Sequence, residues 1–186
     1  KSDTRKTLKK HPLSKMIIAE SFHSCALNIF VHENKASLKG VFDNRIIFSA
    51  IRSRILIKSF NLIIIDEIQD MTECFCEFVQ HLLSLNFAKR NQVPATIVTC
   101  GDPFQQIYRF MQADLKYFTS PQEFFFQGDQ HELYNQFFIL TLSYNFRCPR
   151  QVIEYIQKHL NPMNLKYAAT KTEWEKYGSM IEQFWG

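Results

Sequence analysis

Glycine is scarce in this sequence, and its few glycines are not arranged as a phosphate-binding loop. The 186 residues contain five of them, at 40, 101, 128, 178 and 186, and no Gly-Lys-Ser or Gly-Lys-Thr occurs. The pattern G-x-x-x-x-G-K-[ST], whose backbone N–H groups cradle phosphates, is therefore absent from these residues.

Cysteine usage and hydropathy exclude further classes of protein. The five cysteines are an odd number without a C-x-x-C pair or zinc-finger spacing, which predicts free thiols in a reducing compartment. No apolar run approaches the roughly 20 residues that a membrane helix needs. The basic amino terminus also lacks the apolar core of a secretory signal. We therefore expect an intracellular protein without a membrane span, and the sequence does not distinguish nucleus from cytoplasm.

The segment LIIIDEIQD, residues 62–70, organises the chain. Four apolar residues, Leu62 to Ile65, are typical of a strand buried on both faces, and the carboxylates of Asp66 and Glu67 follow at once. Ligands bind at this edge of open parallel sheets, where paired carboxylates suit Mg²⁺ and a reacting water. The alternative is a buried strand that runs into an acidic helix start.

Apolar periodicity predicts strands and helices in alternation. Strands are predicted at 60–65, 95–100 and 137–142. Helices are predicted after a cap at Ser21 or Ser24, over 45–58, after Thr72 and after Pro149. Alternation of this kind favours an α/β fold with a parallel sheet. Polar residues suited to phosphate, metal or proton chemistry follow each predicted strand: Asp66 and Glu67, then Gly101, Asp102 and Gln105, then Asn145 and Arg147.

Four segments, in chain order, resemble the motifs of the UvrD/Rep-like superfamily 1 DNA helicases. They are SFHS (21–24), DEIQD (66–70), GDPFQQIYRF (101–110) and SYNFR (143–147). The resemblance covers about residues 16–160 and implies a RecA-like P-loop NTPase fold that is incomplete here. Residues 1–136 are then part of a first RecA-like ATP-binding domain, and residues 137–186 are the start of a second.

The resemblance also implies roles in ATP hydrolysis. Asp66 would hold Mg²⁺, directly or through water, and Glu67 would be the general base for the water that attacks the γ-phosphate. Gln105 would sense that phosphate, and Arg147 would neutralise charge on the transferred phosphoryl group. A surface turn and a salt bridge are the structural alternatives for Gln105 and Arg147.

Contacts with single-stranded DNA are implied in the same way. Phe110, supported by Tyr108, would stack on a base, while Ser21 and His23 would touch the backbone. Each of these residues also has a structural explanation. Phe110 could be a core residue, Ser21 could cap a helix, and the imidazole of His23 could pack against its neighbours.

The sequence departs from the family pattern in several places. The phosphate loop is missing, no late motif is recognisable after residue 160, and Met111-Gln112 replace the common Arg-Gly. We therefore expect part of an ATP-dependent DNA helicase that translocates 3′ to 5′ on single strands or single/double-strand junctions, inactive as this chain alone.

Two other functions remain open on the sequence. The first is an inactive remnant that binds DNA or a protein partner. The second is a metal-dependent nuclease that would use four carboxylates: Asp66, Glu67, Asp70 and Asp102.

Overall fold

The computed structural model describes residues 16–33, 38, 43–126, 137–140, 142, 154–155 and 158–159. Its helices and strands are α1 (Phe22–Ile29), α2 (Arg45–Arg52), β1 (Leu62–Ile65), α3 (Glu73–Lys89), β2 (Thr96–Thr99), α4 (Lys116–Thr119) and α5 (Pro121–Phe125). Three short 3₁₀ turns cover Ile68–Asp70, Pro103–Gln105 and Arg109–Met111. None of the helices in these ranges is long and apolar enough to cross a membrane.

Strands β1 and β2 pair in parallel, with Leu62 opposite Thr96 and Ile65 opposite Thr99. Helix α3 lies between the two strands in the chain. Two parallel strands need a crossover connection, because the end of the first strand and the start of the second lie at opposite edges of the sheet. The strands predicted at 60–65 and 95–100 are confirmed with shorter bounds. An α/β architecture follows for this part of the chain.

Two helix starts agree with the capping residues that the sequence predicts. The Ser21 hydroxyl accepts from the N–H of Ser24, and the Thr72 hydroxyl accepts from the N–H of Phe75. Each satisfies a backbone donor that the first turn of a helix leaves unpaired. The caps place α1 and α3 in the register that turns their apolar faces inward.

The hydrophobic core lies among α1, α2, α3 and one face of the sheet. Its largest fully buried side chains include Phe30, Phe78 and Ile47. Each large apolar side chain removed from water contributes about 1.5–3 kcal/mol, before the entropic cost of ordering it. These contacts pack α2 between α1 and α3, and Ile65 of β1 belongs to the same core cluster.

Asn86 of α3 ties the chain in front of β1 to the core. Its Oδ1 accepts from the N–H of Phe60 at 2.7 Å and its Nδ2 donates to the carbonyl of Phe60 at 3.0 Å. Lys89 donates to the carbonyl of Leu56 at 2.7 Å. Because Asn86 is 1% exposed, the paired amide groups are protected from water, and β1 is held from its amino-terminal side.

The prediction that β1 is buried on both faces is wrong for the described residues. Ile65 is buried, but Leu62 is 49% and Ile64 is 61% exposed. Alternate residues of a strand point to opposite faces, and only the face of Ile63, Ile65 and Ile97 packs against the core. The opposite face of the two strands is open in the described part of the chain.

The strand predicted at 137–142 is also wrong where the structure describes it. Residues 137–140 and 142 have no regular secondary structure, and Ile139 and Leu140 are 80% and 87% exposed. A run of apolar residues becomes a strand only when a neighbouring strand accepts its hydrogen bonds, and none of the described residues pairs with this run. Asn145 and the residues that define the helix predicted after Pro149 lie outside the described residues.

Backbone contacts divide the chain into two compact units, residues 1–136 and 137–186. The first contains both strands and all the helices named above. In the second, the described residues 154–155 and 158–159 are helical, and the rings of Tyr155 and His159 lie 4.5 Å apart. The assignment of the units to two RecA-like domains stays a prediction.

Candidate functional site at the strand ends

Two exposed carboxylates follow β1 directly, as the sequence predicts. The N–H of Glu67 donates to Oδ1 of Asp66 at 3.1 Å. The backbone of Glu67 is left-handed, with φ 54° and ψ 44°, a conformation that costs a residue with a side chain roughly 1–2 kcal/mol. Strain of this kind persists only where the surroundings hold it in place.

Gln69 supplies part of that support. Its side chain is 1% exposed, its Nε2 donates to Oε2 of Glu67 at 2.7 Å, and its Oε1 accepts from the N–H of Asp102 at 3.1 Å. The turn is further fixed because the N–H of Ile68 donates to the carbonyl of Cys100 at 3.0 Å. The ends of β1 and β2 are therefore joined by both backbone and side-chain hydrogen bonds.

The loop after β2 carries Gln105, the residue predicted to sense a phosphate. Gln105 is exposed, and its Nε2 donates to Oδ2 of Asp102 at 2.9 Å. The N–H of Gln105 also donates to the carbonyl of Asp102 at 3.0 Å. The structure thus connects Gln105 to the carboxylate pair through Asp102 and Gln69.

An exposed aromatic turn, residues 107–111, follows on the same loop. The rings of Tyr108 and Phe110 lie 6.1 Å apart, and Phe110 is 80% exposed. Ile107 and Met111 are 68% and 58% exposed. Phe110 is therefore not a core residue in this structure, and the turn exposes an apolar surface.

Gln112 stands at one of the departures from the family pattern, and its backbone is left-handed. Its φ is 67° and its ψ is 21°, and its N–H donates to the carbonyl of Arg109 at 3.0 Å. Glycine adopts this left-handed conformation at little cost. A residue with a side chain stands here where the helicase pattern commonly has glycine.

Ser21 and His23 lie on α1, and both have structural roles. Ser21 is exposed and caps the helix. The ring of His23 packs edge-on against that of Phe75, with centroids 5.7 Å apart. Its Nε2 is buried without a hydrogen-bond partner in the structure. A role of either residue in DNA contact stays a prediction, and Arg147 lies outside the described residues.

The carboxylates do not form the multi-ligand metal cluster that the nuclease hypothesis needs. In residues 16–33, 38, 43–126 and the short later segments that are described, no three His, Cys, Asp or Glu side chains are placed to hold a metal ion. Burial, and to a smaller extent Glu67, raises the pKa of Asp70, and its Oδ1 is buried without a partner.

Asp66 alone is nevertheless suited to bind a Mg²⁺ ion that is coordinated by the phosphates of a nucleotide. Such Mg²⁺ is commonly bound by one or two carboxylates, substrate phosphates and water. Asp66 is exposed at the strand end and meets this requirement.

The described thiols are free, as the sequence predicts for them, and they are not nucleophiles. Burial raises the pKa of Cys25 to about 12 and that of Cys76 to about 11. Partial desolvation also raises the pKa values of Cys74 and of the exposed Cys100, and for Cys100 the negative charge of Asp66 adds to the effect. All four are therefore protonated near neutral pH, and a thiolate is the species that attacks or binds metal.

Gln69 is the residue of this site whose role sequence reasoning missed. The sequence identifies Gln69 only as one residue of the DEIQD segment. The available signal was a polar residue inside a turn between two apolar positions, Ile68 and Met71, both of which are buried. A polar side chain in such a position needs hydrogen-bond partners, which only the fold could identify.

Comparison with known proteins gives one match. Residues 43–125 match the family model of the UvrD/REP helicase N-terminal domain. The match contains Asp66 to Asp70 and the whole of Gly101 to Phe110, and it confirms the resemblance drawn from those motifs. No curated protein and no solved structure matches the chain.

Proposed function

Because residues 43–125 match the family model of the UvrD/REP helicase N-terminal domain, we propose that this chain is the part of a DNA helicase that links ATP hydrolysis to movement on single-stranded DNA. One observation carries the proposal beyond the family. The loop with the exposed Tyr108 and Phe110 is hydrogen-bonded, through Asp102 and Gln69, to the carboxylate of Glu67. A coupled motor needs such a connection between a polymer-binding surface and a hydrolytic centre.

Hydrolysis is assigned to the carboxylate pair. Asp66 would hold the Mg²⁺ that accompanies ATP, and Glu67 would accept the proton of the attacking water. The Mg²⁺ supplies charge neutralisation on the phosphates when it is bound. Gln105 senses the γ-phosphate, and Arg147 offsets charge on the transferred group.

DNA binding is assigned to the aromatic turn. A base stacks on Phe110 with support from Tyr108, a contact that is worth about 1–3 kcal/mol per base and is indifferent to sequence. Single strands and single/double-strand junctions are the proposed substrates, because only unpaired bases offer their faces to a ring. Ser21 and His23 are proposed to contact the DNA backbone, and the proposed direction is 3′ to 5′, as the family resemblance implies.

A second candidate is an inactive remnant that retains DNA or partner binding. These 186 residues contain no G-x-x-x-x-G-K-[ST] loop, which supplies most of the phosphate contacts in such enzymes, and its absence from the full-length protein would select the remnant. The remnant would keep the aromatic turn and lose ATP turnover. The two candidates therefore make the same prediction for DNA binding and opposite ones for hydrolysis.

The test measures DNA binding and hydrolysis separately. Fluorescence anisotropy of labelled oligothymidine and of a blunt duplex of equal length gives the preference for single strands. Phosphate release is then measured for the chain joined to a UvrD/REP-type phosphate-loop segment. Single-strand preference with DNA-stimulated release supports the motor, and preference without release selects the remnant. Equal binding of both DNAs, or none, contradicts the proposal.

A further inference from the structure

A buried carboxamide joins the two strand ends. Both groups of the Gln69 side chain are used, with Nε2 2.7 Å from Glu67 Oε2 and Oε1 3.1 Å from the backbone nitrogen of Asp102. The partners dictate the orientation of the amide, because a backbone N–H requires an acceptor and a carboxylate requires a donor. Reversing the amide would oppose donor to donor and acceptor to acceptor.

The far side of this link continues into the loop. Asp102 accepts from Gln105 through its side chain at 2.9 Å and through its carbonyl at 3.0 Å. A continuous set of hydrogen bonds therefore runs from Glu67 through Gln69 and Asp102 to Gln105. Its central member, Gln69, is 1% exposed, so water competes little for the two bonds that Gln69 makes, whereas the Asp102–Gln105 side-chain bond is exposed.

The Glu67 end of the link depends on such support. Glu67 is exposed and its backbone is left-handed, so neither core packing nor regular secondary structure fixes its side chain. The hydrogen bond from Gln69 restricts the carboxylate to one place. A shift of the loop that moves the Gln69 amide then moves the carboxylate with it.

We propose that Gln69 is a positioning residue that couples the 101–105 loop to the Glu67 carboxylate. The roles of Glu67 and Gln105 in this inference rest on the proposed function, whereas the coupling itself is a property of the fold. A change at the loop that carries the aromatic turn reaches the carboxylate pair through this amide. The DEIQD turn thereby transmits the position of the DNA-binding loop to the proposed general base.

The experiment uses isotope-labelled 186-residue chain and NMR. The reporter is the side-chain carboxyl carbon of Glu67, and the perturbation is Gln105→Ala, which is neutral and so changes no through-space charge. In the parent chain, Gln105→Ala should shift the Glu67 signal. In a Gln69→Met background the same change should leave it in place, because Met has similar length and neither donates nor accepts strongly.

A second variant separates the two ends of the amide. Gln69→Glu keeps an acceptor for the Asp102 N–H and, at a pH high enough to ionise both neighbouring carboxyl groups, loses the donor to Glu67. Exchange of the Asp102 amide hydrogen should accelerate about tenfold in Gln69→Met and stay near the parental rate in Gln69→Glu. The Glu67 response should be lost in both, a split that a purely structural role of Gln69 does not produce.

The Glu67 signal decides whether Gln69 couples the 101–105 loop to the carboxylate. A Glu67 shift on Gln105→Ala that is equal in parent and Gln69→Met chains overturns the coupling, and so does the absence of a shift in the parent. If the α3 amide signals show that Gln69→Met is unfolded, Gln69→Glu decides through the same reporter.

Addition of oligothymidine distinguishes this inference from the proposed function. A shift of Glu67 on DNA binding that disappears without Gln69 supports both. If the DNA leaves the Tyr108 and Phe110 signals unmoved, the proposed function fails, while the Gln105→Ala comparison still decides the coupling.

Discussion

Gly101 leaves the space that Oε1 of Gln69 occupies, since a Cβ added at residue 101 would lie 2.4 Å from that oxygen. This added Cβ would also lie 3.1 Å from the Cγ2 methyl carbon of Ile68. The carboxamide is held by two hydrogen bonds in a buried place and cannot move aside freely. The absence of a side chain at 101 is thus a condition for the link between the strand ends.

Gly101→Ala should therefore destabilise the chain. Displacement of Gln69 breaks at least one buried hydrogen bond, so we expect a loss of about 1–3 kcal/mol in the free energy of unfolding. Urea unfolding followed by circular dichroism measures it. The matched control is Cys100→Ala, a change at the exposed neighbour, which should stay close to the parent. Equal midpoints for both variants would contradict this account of Gly101.

Glu67→Gln should abolish ATP hydrolysis in the chain joined to a phosphate-loop segment. The amide cannot accept the water proton, so the turnover number should fall by at least about 10²-fold, while ATP binding with Mg²⁺ is retained through Asp66. Glu77→Gln, at an exposed position of α3, is the control. Parental turnover in Glu67→Gln would sink the general-base assignment.

Phe110→Ala should weaken binding of single-stranded DNA by about 1–3 kcal/mol through loss of one stacking contact. Because Phe110 is 80% exposed, the melting temperature should stay near that of the parent. Ile107→Ala is the matched control, since Ile107 is 68% exposed on the same turn but has no ring. A similar loss of DNA affinity in both variants would argue against stacking.

Asp70→Asn should change stability in a pH-dependent way. Burial, and then Glu67, raises the pKa of Asp70 above its ordinary 3.8, so the folded chain binds its proton more tightly than the unfolded chain. The free energy of unfolding therefore falls as pH rises from about 3.8 through the folded pKa. Asn cannot ionise, so the variant should be more stable than the parent at pH 7, with an advantage that vanishes near pH 3.

Asp114→Asn is the control of opposite sign for that measurement. The pKa of Asp114 is lowered, and the largest cause of this shift is the hydrogen bond that the backbone N–H of Lys116 donates to its carboxylate. Its ionised form therefore favours the folded chain above the unfolded pKa, and this contribution is lost as pH falls through the folded pKa. Asp114→Asn should not gain stability at pH 7. A gain in both variants would show that charge removal in general, not burial of Asp70, is responsible.

The 186-residue chain alone should not hydrolyse ATP at a measurable rate, even with Mg²⁺ and single-stranded DNA. Phosphoryl transfer is catalysed mostly by positioning and charge neutralisation, and the absent phosphate loop supplies much of both. The assay is phosphate release from purified chain, with Glu67→Gln as the contamination control. DNA-stimulated release that disappears in the control would show that another segment replaces the loop.

The sequence by itself determined those features that depend on neighbours in the chain. Ser21 and Thr72 cap helices because a hydroxyl reaches the N–H three residues on, and the apolar face of α3 follows from its period. The carboxylates of Asp66 and Glu67 end a strand because apolar residues give way to charged ones. The order of the motifs was enough to indicate the helicase family that residues 43–125 match.

Only the tertiary structure decided what depends on contacts between distant residues. Composition could not decide that Phe110 is exposed or that only one face of the sheet is buried, because an apolar residue can occupy either a core or a surface position. The run at 137–142 has the composition of a strand, but a strand requires a partner. Gln69 could not be assigned from its neighbours, since one of its two hydrogen bonds joins it to Asp102, 33 residues away. That contact exists because parallel pairing of β1 with β2 brings their carboxyl ends to the same edge of the sheet.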